Sequence, residues 1–281
     1  MITVETLFSG SSGNCTLIRT EKTAVLVDAG KNCKAVTAGL EMLGMSLSDL
    51  SAVFVTHEHR DHISALDVMM RRRSIPIHVT SLSAPELCRG RSAGEAAVVH
   101  PGLLYEVQVG DLTVRSFPLP HDSAGHVGYM FADAAGDTAG LATDMGYATM
   151  DAYNHLRHCR TVVLEANHDL DMLRMGPYPF PLKQRILSRG GHLSNVDCAG
   201  LCRGLAGGHT ERIILAHLSH ENNTPEIAYQ TVRTALDREG YTGFALSVAR
   251  RDCPGCVALS CSEAEQRPRW DCREELLYDQ M

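Results

Sequence analysis

The 281-residue sequence contains few aromatic side chains and no long apolar segment. Aromatic residues make up only 5% of the chain, so we expect no extensive platform on which nucleic-acid bases could stack. No uncharged apolar run approaches the roughly 18 residues that a membrane-spanning helix requires, which predicts no membrane span and no membrane partner. The first residues lack a basic segment followed by an apolar one, so the sequence predicts no signal peptide and a cytoplasmic location.

An excess of positive charge and a high density of cysteine are also absent. The chain has 26 basic and 33 acidic residues, and its net charge of −7 excludes a generally basic nucleic-acid-binding protein but not a local basic groove. Ten cysteines in 281 residues are well below the cysteine content of roughly 8% that marks a disulfide-stabilised scaffold. With 44% apolar and 21% charged residues, the composition is that of an ordinary globular protein with a sizeable core.

Histidine, in contrast, is abundant, with fourteen residues. Several short apolar runs of the kind found in buried strands end at a polar residue of a metal-ligand type. These strand-end residues are Asp28, His57, His121, Asp144, His168 and His217. Because strand ends can converge on one rim of a sheet, six such residues predict a single built site.

The densest group of candidate ligands is the segment HEHRDH at residues 57–62, which follows a β-branched strand and precedes a predicted helix over residues 62–73. On a loop, His57 and His59 can point one way while Asp61 and His62 point another, and this arrangement can serve two metal ions a few ångströms apart. Imidazoles and a carboxylate packed this closely need a cation or other partners. The alternative is a polar surface loop in which Asp61 caps the helix.

These motifs resemble those of a known superfamily. HEHRDH after a β-branched strand is similar to the signature of the metallo-β-lactamase fold, and VLVDAG, His121, Asp144 and His217 follow in that superfamily's order. More closely, FSGSSGNCTLI, TDMGY, LEANHD, RILSRGGHLSN and LAHLSHENN resemble the WalJ/YycJ family of bacterial proteins, described as cytoplasmic 5′–3′ DNA exonucleases. The resemblance implies an α/β (α+β) protein with a four-layer αβ/βα sandwich, two mixed sheets face to face with helices outside, in residues 1–252.

The resemblance also implies a role for each matching residue. Seven side chains would hold two divalent metal ions. His57, His59 and His121 would bind the first ion, and Asp61, His62 and His217 would bind the second. Asp144 would bridge both. Imidazoles mixed with carboxylates suit Zn, Mn or Fe without choosing among them. Asp28 would hold a ligand loop in place. His192 would protonate the leaving oxygen or stabilise charge on phosphate, and Asp61 is assigned a catalytic role beside its role as a ligand.

The assignments predict a dinuclear metal-dependent phosphodiesterase, specifically a 5′–3′ exonuclease acting on DNA with a metal-bridging hydroxide. Two cations neutralise an anionic phosphodiester and lower the pKa of bound water towards about 7. The alternative is a metallo-hydrolase of another ester class, such as a thioester, a lactone or a small cyclic phosphodiester, on the same scaffold. His192 favours the phosphodiesterase, because an alkoxide gains from a proton donor whereas a thiolate leaves without one.

Substrate contacts are predicted in two places. The turn GSSGN at residues 10–14, with Ser11, Ser12 and Asn14, can offer amides and hydroxyls to a phosphate, or can be only a flexible strand connection. His168 is an extra metal ligand, a substrate contact, or an imidazole that supports the site by hydrogen bonding. The sequence makes no prediction of the oligomeric state.

The sequence also contains a group of basic residues and a cysteine-containing C-terminal segment. The best candidates for a patch that contacts the DNA backbone are Arg174, Lys183, Arg185 and Arg189. Residues 253–281 are expected to form a C-terminal extension that contains Cys253, Cys256, Cys261 and Cys272. These cysteines either bind a structural metal or remain free thiols, since CxxC is a recognised half of a zinc site but the remaining spacing is irregular.

Overall fold

The computed structural model describes residues 1–89 and 92–251, together with the backbone of residues 257–260. Within these residues the strands form two mixed sheets. The strands are β1 (Thr3–Phe8), β2 (Cys15–Arg19), β3 (Ala24–Val27), β4 (Ala52–Phe54), β5 (Ile77–Thr80), β6 (Ala97–His100), β7 (Glu106–Val109), β8 (Leu112–Pro118), β9 (Val127–Asp133), β10 (Thr138–Ala142), β11 (Thr161–Glu165), β12 (Arg212–Ala216), β13 (Ala245–Ala249) and β14 (Val257–Ser260).

Helices occupy most of the long connections between strands. They are α1 (Cys33–Met42), α2 (Arg60–Ile63), α3 (Leu66–Arg72), α4 (Ala84–Leu87), α5 (Ser92–Glu95), α6 (Met150–Leu156), α7 (Leu170–Met175), α8 (Phe180–Ile186), α9 (Asn195–Ala206) and α10 (Pro225–Arg238), with a short 3-10 helix at Leu47–Asp49. The two longest begin at side-chain N-caps, in which the Ser194 and Thr224 hydroxyls accept backbone N–H bonds. No helix in the described part of the chain is long and apolar enough to cross a membrane.

Each sheet contains a block of four adjacent parallel strands. The first sheet runs β1-β2-β3-β4-β5-β6 and the second β14-β13-β12-β11-β10-β9-β8-β7. Strands β3 to β6 pair in parallel, as do β10 to β13, and antiparallel pairs complete both sheets. Parallel strands end on the same edge, so the residues that follow β3, β4, β10, β11 and β12 can converge there.

Successive side chains along the buried strands point to opposite faces of their sheet, and this explains the four layers. In β3, Val25 and Val27 belong to the core between the two sheets, while Leu26 faces the outer core beneath α1 and α3. In β12, Ile214 lies between the sheets and Leu215 packs with α6, α9 and α10. A strand covered on both faces carries apolar residues on both, which accounts for the uninterrupted apolar runs. The predicted four-layer αβ/βα sandwich is confirmed.

The segment after HEHRDH differs from the single helix predicted over residues 62–73, since α2 ends at Ile63 and α3 begins at Leu66. The carbonyl of Asp61 accepts a hydrogen bond from the Asn14 N–H, and that of His62 from the Ala29 N–H, both at 2.8 Å. These carbonyls are therefore engaged outside the helix. Gly30 allows the approach, because a Cβ there would lie 1.6 Å from the Asp61 oxygen. The interruption clamps the candidate ligand loop onto the first sheet.

The C-terminal region extends the second sheet by one strand. β14 pairs antiparallel with β13 and lies within residues 253–281, the predicted extension. Cys253, Cys256, Cys261 and Cys272 lie outside the described residues. The division into residues 1–252 and 253–281, and a metal role for these cysteines, stay predictions.

Candidate metal centre

The candidate site starts at three strand ends with an uncommon backbone conformation. Asp28, Asp144 and His217 are the non-glycine residues with positive φ in the described chain, at 62°, 60° and 55°. This left-handed region costs about 1–2 kcal/mol for most side chains. Such strain persists only where the surrounding structure fixes it, and it clusters at functional sites. All three residues are among those that the sequence predicts to converge.

His57, His59 and His121 bring three ring nitrogens within 4.8 Å of one another. His57 is fully buried, its Nδ1 lies 3.0 Å from the Thr56 hydroxyl, and its Nε2 has no hydrogen-bond partner. The Nδ1 of His121 lies 3.1 Å from the Gly191 carbonyl oxygen, which can only accept, so this nitrogen carries the proton. His121 Nε2 therefore keeps its lone pair, 3.3 Å from His59 Nδ1. The three imidazoles fit one cation.

Asp61, His62 and His217 form a second group whose ligand atoms also lie within 4.8 Å. The Nδ1 of His62 donates to Asp28 at 2.7 Å, so in the neutral ring Nε2, 3.6 Å from the Asp61 carboxylate, keeps the lone pair that a metal ion would bind. Asp28 also accepts two hydrogen bonds from Thr56, each 2.9 Å, and so ties the ligand loop to the end of β3. His217 Nε2 is buried without a hydrogen-bond partner.

Asp144 lies between the two groups. Its Oδ2 is 3.5 Å from His62 Nε2 and has no hydrogen-bond partner, and its Oδ1 is 3.3 Å from His217 Nδ1. A buried polar atom without a partner costs about 1–3 kcal/mol, and this cluster contains three of them, on His57, Asp144 and His217. Cations would satisfy all three. Imidazole nitrogens with carboxylate oxygens are a donor set for Zn, Mn or Fe, so the residues fit two divalent ions.

The electrostatics of the cluster also call for positive charge. Burial alone would lower the pKa of His62, but the carboxylates of Asp28 and Asp144 raise it to about 10. Burial raises the pKa of Asp144, but the imidazoles of His217 and His62 hold it well below its usual range. Without metal ions, a protonated imidazole supplies the positive charge that the buried carboxylates need. Bound cations would supply that charge instead.

Sequence reasoning missed Glu165, the last residue of β11, which is fully buried. Its Oε1 accepts hydrogen bonds from His192 Nδ1 at 2.8 Å and from His217 Nδ1 at 2.9 Å. Its Oε2 accepts from the backbone N–H groups of Met145 and Leu193, at 2.7 and 3.2 Å. Glu165 therefore sets the orientation of two site histidines. The available signal was an acidic residue closing the apolar run TVVLE, three positions before His168.

The predicted substrate contacts lie in different settings. Ser11 and Ser12 are exposed, and the Ser12 hydroxyl accepts from Lys31 Nζ at 3.0 Å. Asn14 is buried, with Nδ2 only 3.0 Å from His62 Nε2, so it adjoins the second ligand group. His168 is buried, neither of its ring nitrogens has a hydrogen-bond partner, and burial lowers its pKa to about 4. Substrate binding by these residues stays a prediction.

Comparisons with known proteins agree with this geometry. The family described as Beta-lactamase superfamily domain matches residues 23–218. Exodeoxyribonuclease YycJ of Bacillus anthracis is 36% identical over 238 residues, which cover 84% of this chain and 89% of that protein. Exodeoxyribonuclease WalJ of Streptococcus pneumoniae serotype 2 (strain D39) is 35% identical over 233 residues, which cover 82% of this chain and 86% of that protein.

The chain belongs to the WalJ/YycJ family of the metallo-β-lactamase fold superfamily. The predicted family is thereby confirmed. Among solved structures, the metallo-β-lactamase fold protein YhfI from Bacillus subtilis superimposes on this WalJ/YycJ-family chain with a TM-score of 0.69, covering 89% of this chain and 97% of the other. At 15% identity this likeness shows the shared fold alone.

Replacing Glu165 by Gln should weaken metal affinity or turnover by about 10- to 100-fold, the usual cost of losing a group that orients metal ligands. All four hydrogen bonds to Glu165 come from N–H donors, so either placement of the Gln amide puts an NH2 group against a donor. We expect this result in metal titrations and steady-state kinetics. Glu221→Gln is the matched control, because Glu221 also accepts from a histidine, His220, at 2.8 Å but is exposed. Wild-type metal affinity and turnover in Glu165→Gln would contradict the role.

Proposed function

We propose that this chain is a dinuclear metal-dependent phosphodiesterase that degrades DNA as a 5′–3′ exonuclease. The observation that carries the proposal is the cluster of seven side chains, four of them buried, in which His57 Nε2, Asp144 Oδ2 and His217 Nε2 lack hydrogen-bond partners. The names of the relatives YycJ and WalJ as exodeoxyribonucleases support DNA as the substrate. The 5′–3′ polarity and a cytoplasmic location come from the family resemblance.

Each of the seven residues has a place in the proposal. One ion would be held by His57, His59 and His121, the other by Asp61, His62 and His217, and Asp144 would contact both. When bound, two divalent ions neutralise the charge of a phosphodiester and lower the pKa of water enough to provide a nucleophile at neutral pH. Asp28 and Glu165 each accept from a ring Nδ1, on His62 and His217, and so direct each Nε2 into the cluster.

His192 is placed to act on the leaving group. Its Nδ1 is anchored on Glu165, and its ring centre lies 5.2 Å from that of His121 and 5.3 Å from that of His217. The side chain is 20% exposed, and Nδ1 is engaged by the buried Glu165, so Nε2 is the ring nitrogen left for a substrate at this partly exposed position. From there Nε2–H can protonate the departing oxygen, which an alkoxide requires.

Asp61 is the second proposed catalytic residue. Its side chain is 27% exposed, whereas that of Asp144 is 3% exposed. A partly exposed carboxylate beside the ligand imidazoles can bind an ion and also accept a hydrogen bond from the attacking water. Asp61 would therefore orient the nucleophile on the face of the centre that substrate approaches.

End-labelled DNA and RNA, single- and double-stranded, together with a thioester, test the proposal on metal-reconstituted protein. We expect mononucleotides to be released from the 5′ end of DNA, a loss of this activity with a chelator, and its recovery when Mn²⁺ or Zn²⁺ is returned. Cleavage of the thioester alone would contradict the phosphodiesterase and favour another ester class on the same scaffold. Release of mononucleotides from the 3′ end would still support a DNA exonuclease but would contradict the 5′–3′ polarity.

A further inference from the structure

Tyr147 and Arg189 form an exposed aromatic–cation pair beside the candidate metal centre. The Arg189 Cζ lies 4.3 Å from the centre of the Tyr147 ring. Tyr147 is three residues after Asp144 and Arg189 three residues before His192, and both side chains are exposed, Tyr147 at 36%. The pair therefore flanks two residues of the proposed reaction.

Main-chain contacts fix the position of this pair. A Cβ on Gly146 would lie 2.2 Å from the Arg189 carbonyl oxygen, so the residue before Tyr147 packs directly on Arg189. The next two carbonyls along the chain are also engaged, Gly190 by the Asp122 N–H at 2.9 Å and Gly191 by the His121 ring at 3.1 Å. Backbone contacts, not only flexible side chains, therefore hold the pair against the strand ends that carry the candidate ligands.

Arg189 differs from the other basic residues predicted to contact DNA. Arg174 and Arg185 form ion pairs with nearby carboxylates, and Lys183 Nζ donates to the Arg174 carbonyl at 2.7 Å. Across residues 1–89 and 92–251, no carboxylate pairs with Arg189, whose contact is the face of Tyr147. Its guanidinium donors remain available to an anion in a chain whose net charge is −7.

An unpaired guanidinium beside an exposed aromatic ring matches the two chemical parts of a nucleotide. Guanidinium donates paired N–H bonds to phosphate oxygens, and an aromatic face stacks on any base. We propose that Tyr147 and Arg189 bind the nucleotide next to the phosphodiester that is cleaved, Arg189 through its phosphate and Tyr147 through its base. The inference rests on the proposed nuclease function, and it predicts recognition of a DNA strand without sequence preference.

Binding of a fluorescent, non-cleavable phosphorothioate single strand to metal-loaded protein, measured by anisotropy across a salt series, separates the two contacts. One phosphate contact to a single strand contributes about 0.7 to the slope of log affinity against log salt concentration. Arg189→Ala should lower the slope by about this amount, and Arg189→Lys should retain it. Tyr147→Ala should weaken binding about 5- to 150-fold with little change in slope, and Tyr147→Phe should bind like wild type.

Arg157→Ala is the matched control, because Arg157 lies over another tyrosine, Tyr153, at 5.8 Å. Arg157 lies at the other end of β10 from the candidate metal centre. The carbonyl of the next residue, His158, accepts from Thr138 at the start of β10, whereas Asp144 follows the end of that strand. We expect a wild-type slope in this control. An unchanged slope in Arg189→Ala, or an equal loss in Arg157→Ala, overturns the nucleotide site while wild-type cleavage of ordinary DNA still supports the nuclease. If wild type cleaves no DNA, the proposed function fails and the inference with it.

Discussion

Asp144→Asn should reduce phosphodiesterase turnover below detection while the fold is retained. Asp144 is the carboxylate that lies within 3.5 Å of His62 and 3.3 Å of His217, and it shares a group with His57, so a neutral amide there removes charge from both proposed ion sites. The metal content should fall together with turnover. Elemental analysis, circular dichroism and steady-state kinetics on the same preparation measure the three quantities.

Asn is a cleaner replacement than Ala because of the backbone at this position. Asp144 has φ of 60°, a conformation that Asn tolerates but that costs Ala about 1–2 kcal/mol. Asp111→Asn is the control, since Asp111 accepts from the Thr20 hydroxyl at 2.8 Å in the turn before β8, at the opposite end of that strand from His121. Full turnover in Asp144→Asn with two ions still bound would refute the bridging role.

The sequence predicts the core of the site well because its signals are local. Each strand that leads to the cluster is a short apolar run, and the residue at its end is read directly, as with Asp28 after VLV and His217 after RIILA. The convergence of these ends follows from parallel pairing within each sheet. The family motifs span both sheets, and for this reason the four-layer architecture could also be predicted.

The parts that escaped prediction depend on contacts between distant segments. Glu165 appears in sequence as the end of a buried strand, and its function becomes visible only where His192 and His217, 27 and 52 residues away, both donate to it. The break between α2 and α3 follows from hydrogen bonds to Asn14 and Ala29 that no local pattern encodes. Tyr147 likewise gains meaning only when Arg189 is brought onto its ring.

His192→Ala should lower kcat on DNA by about 10²- to 10⁴-fold, the usual contribution of a positioned proton donor, while metal content stays near wild type. The reason is geometric, because His192 Nδ1 donates to Glu165 while the side chain is 20% exposed, which leaves Nε2 as the ring nitrogen that can act on a substrate. A p-nitrophenyl phosphodiester should lose far less, because p-nitrophenolate departs without a proton. The ratio of the two losses therefore reports proton donation separately from any general damage to the site.

The same variant can also show that His192 is a ligand. His192 shares a group within 4.8 Å with Asp144, Glu165 and His217, so a loss of metal would assign it to an ion instead of the leaving oxygen. Equal losses on DNA and on the p-nitrophenyl ester would point the same way, because an ion site acts on both substrates alike. His220→Ala, at an imidazole that is 71% exposed, controls for the removal of a histidine three residues after His217 and should leave both rates unchanged. Proton donation therefore stands only if the loss is selective for the poor leaving group and both ions remain.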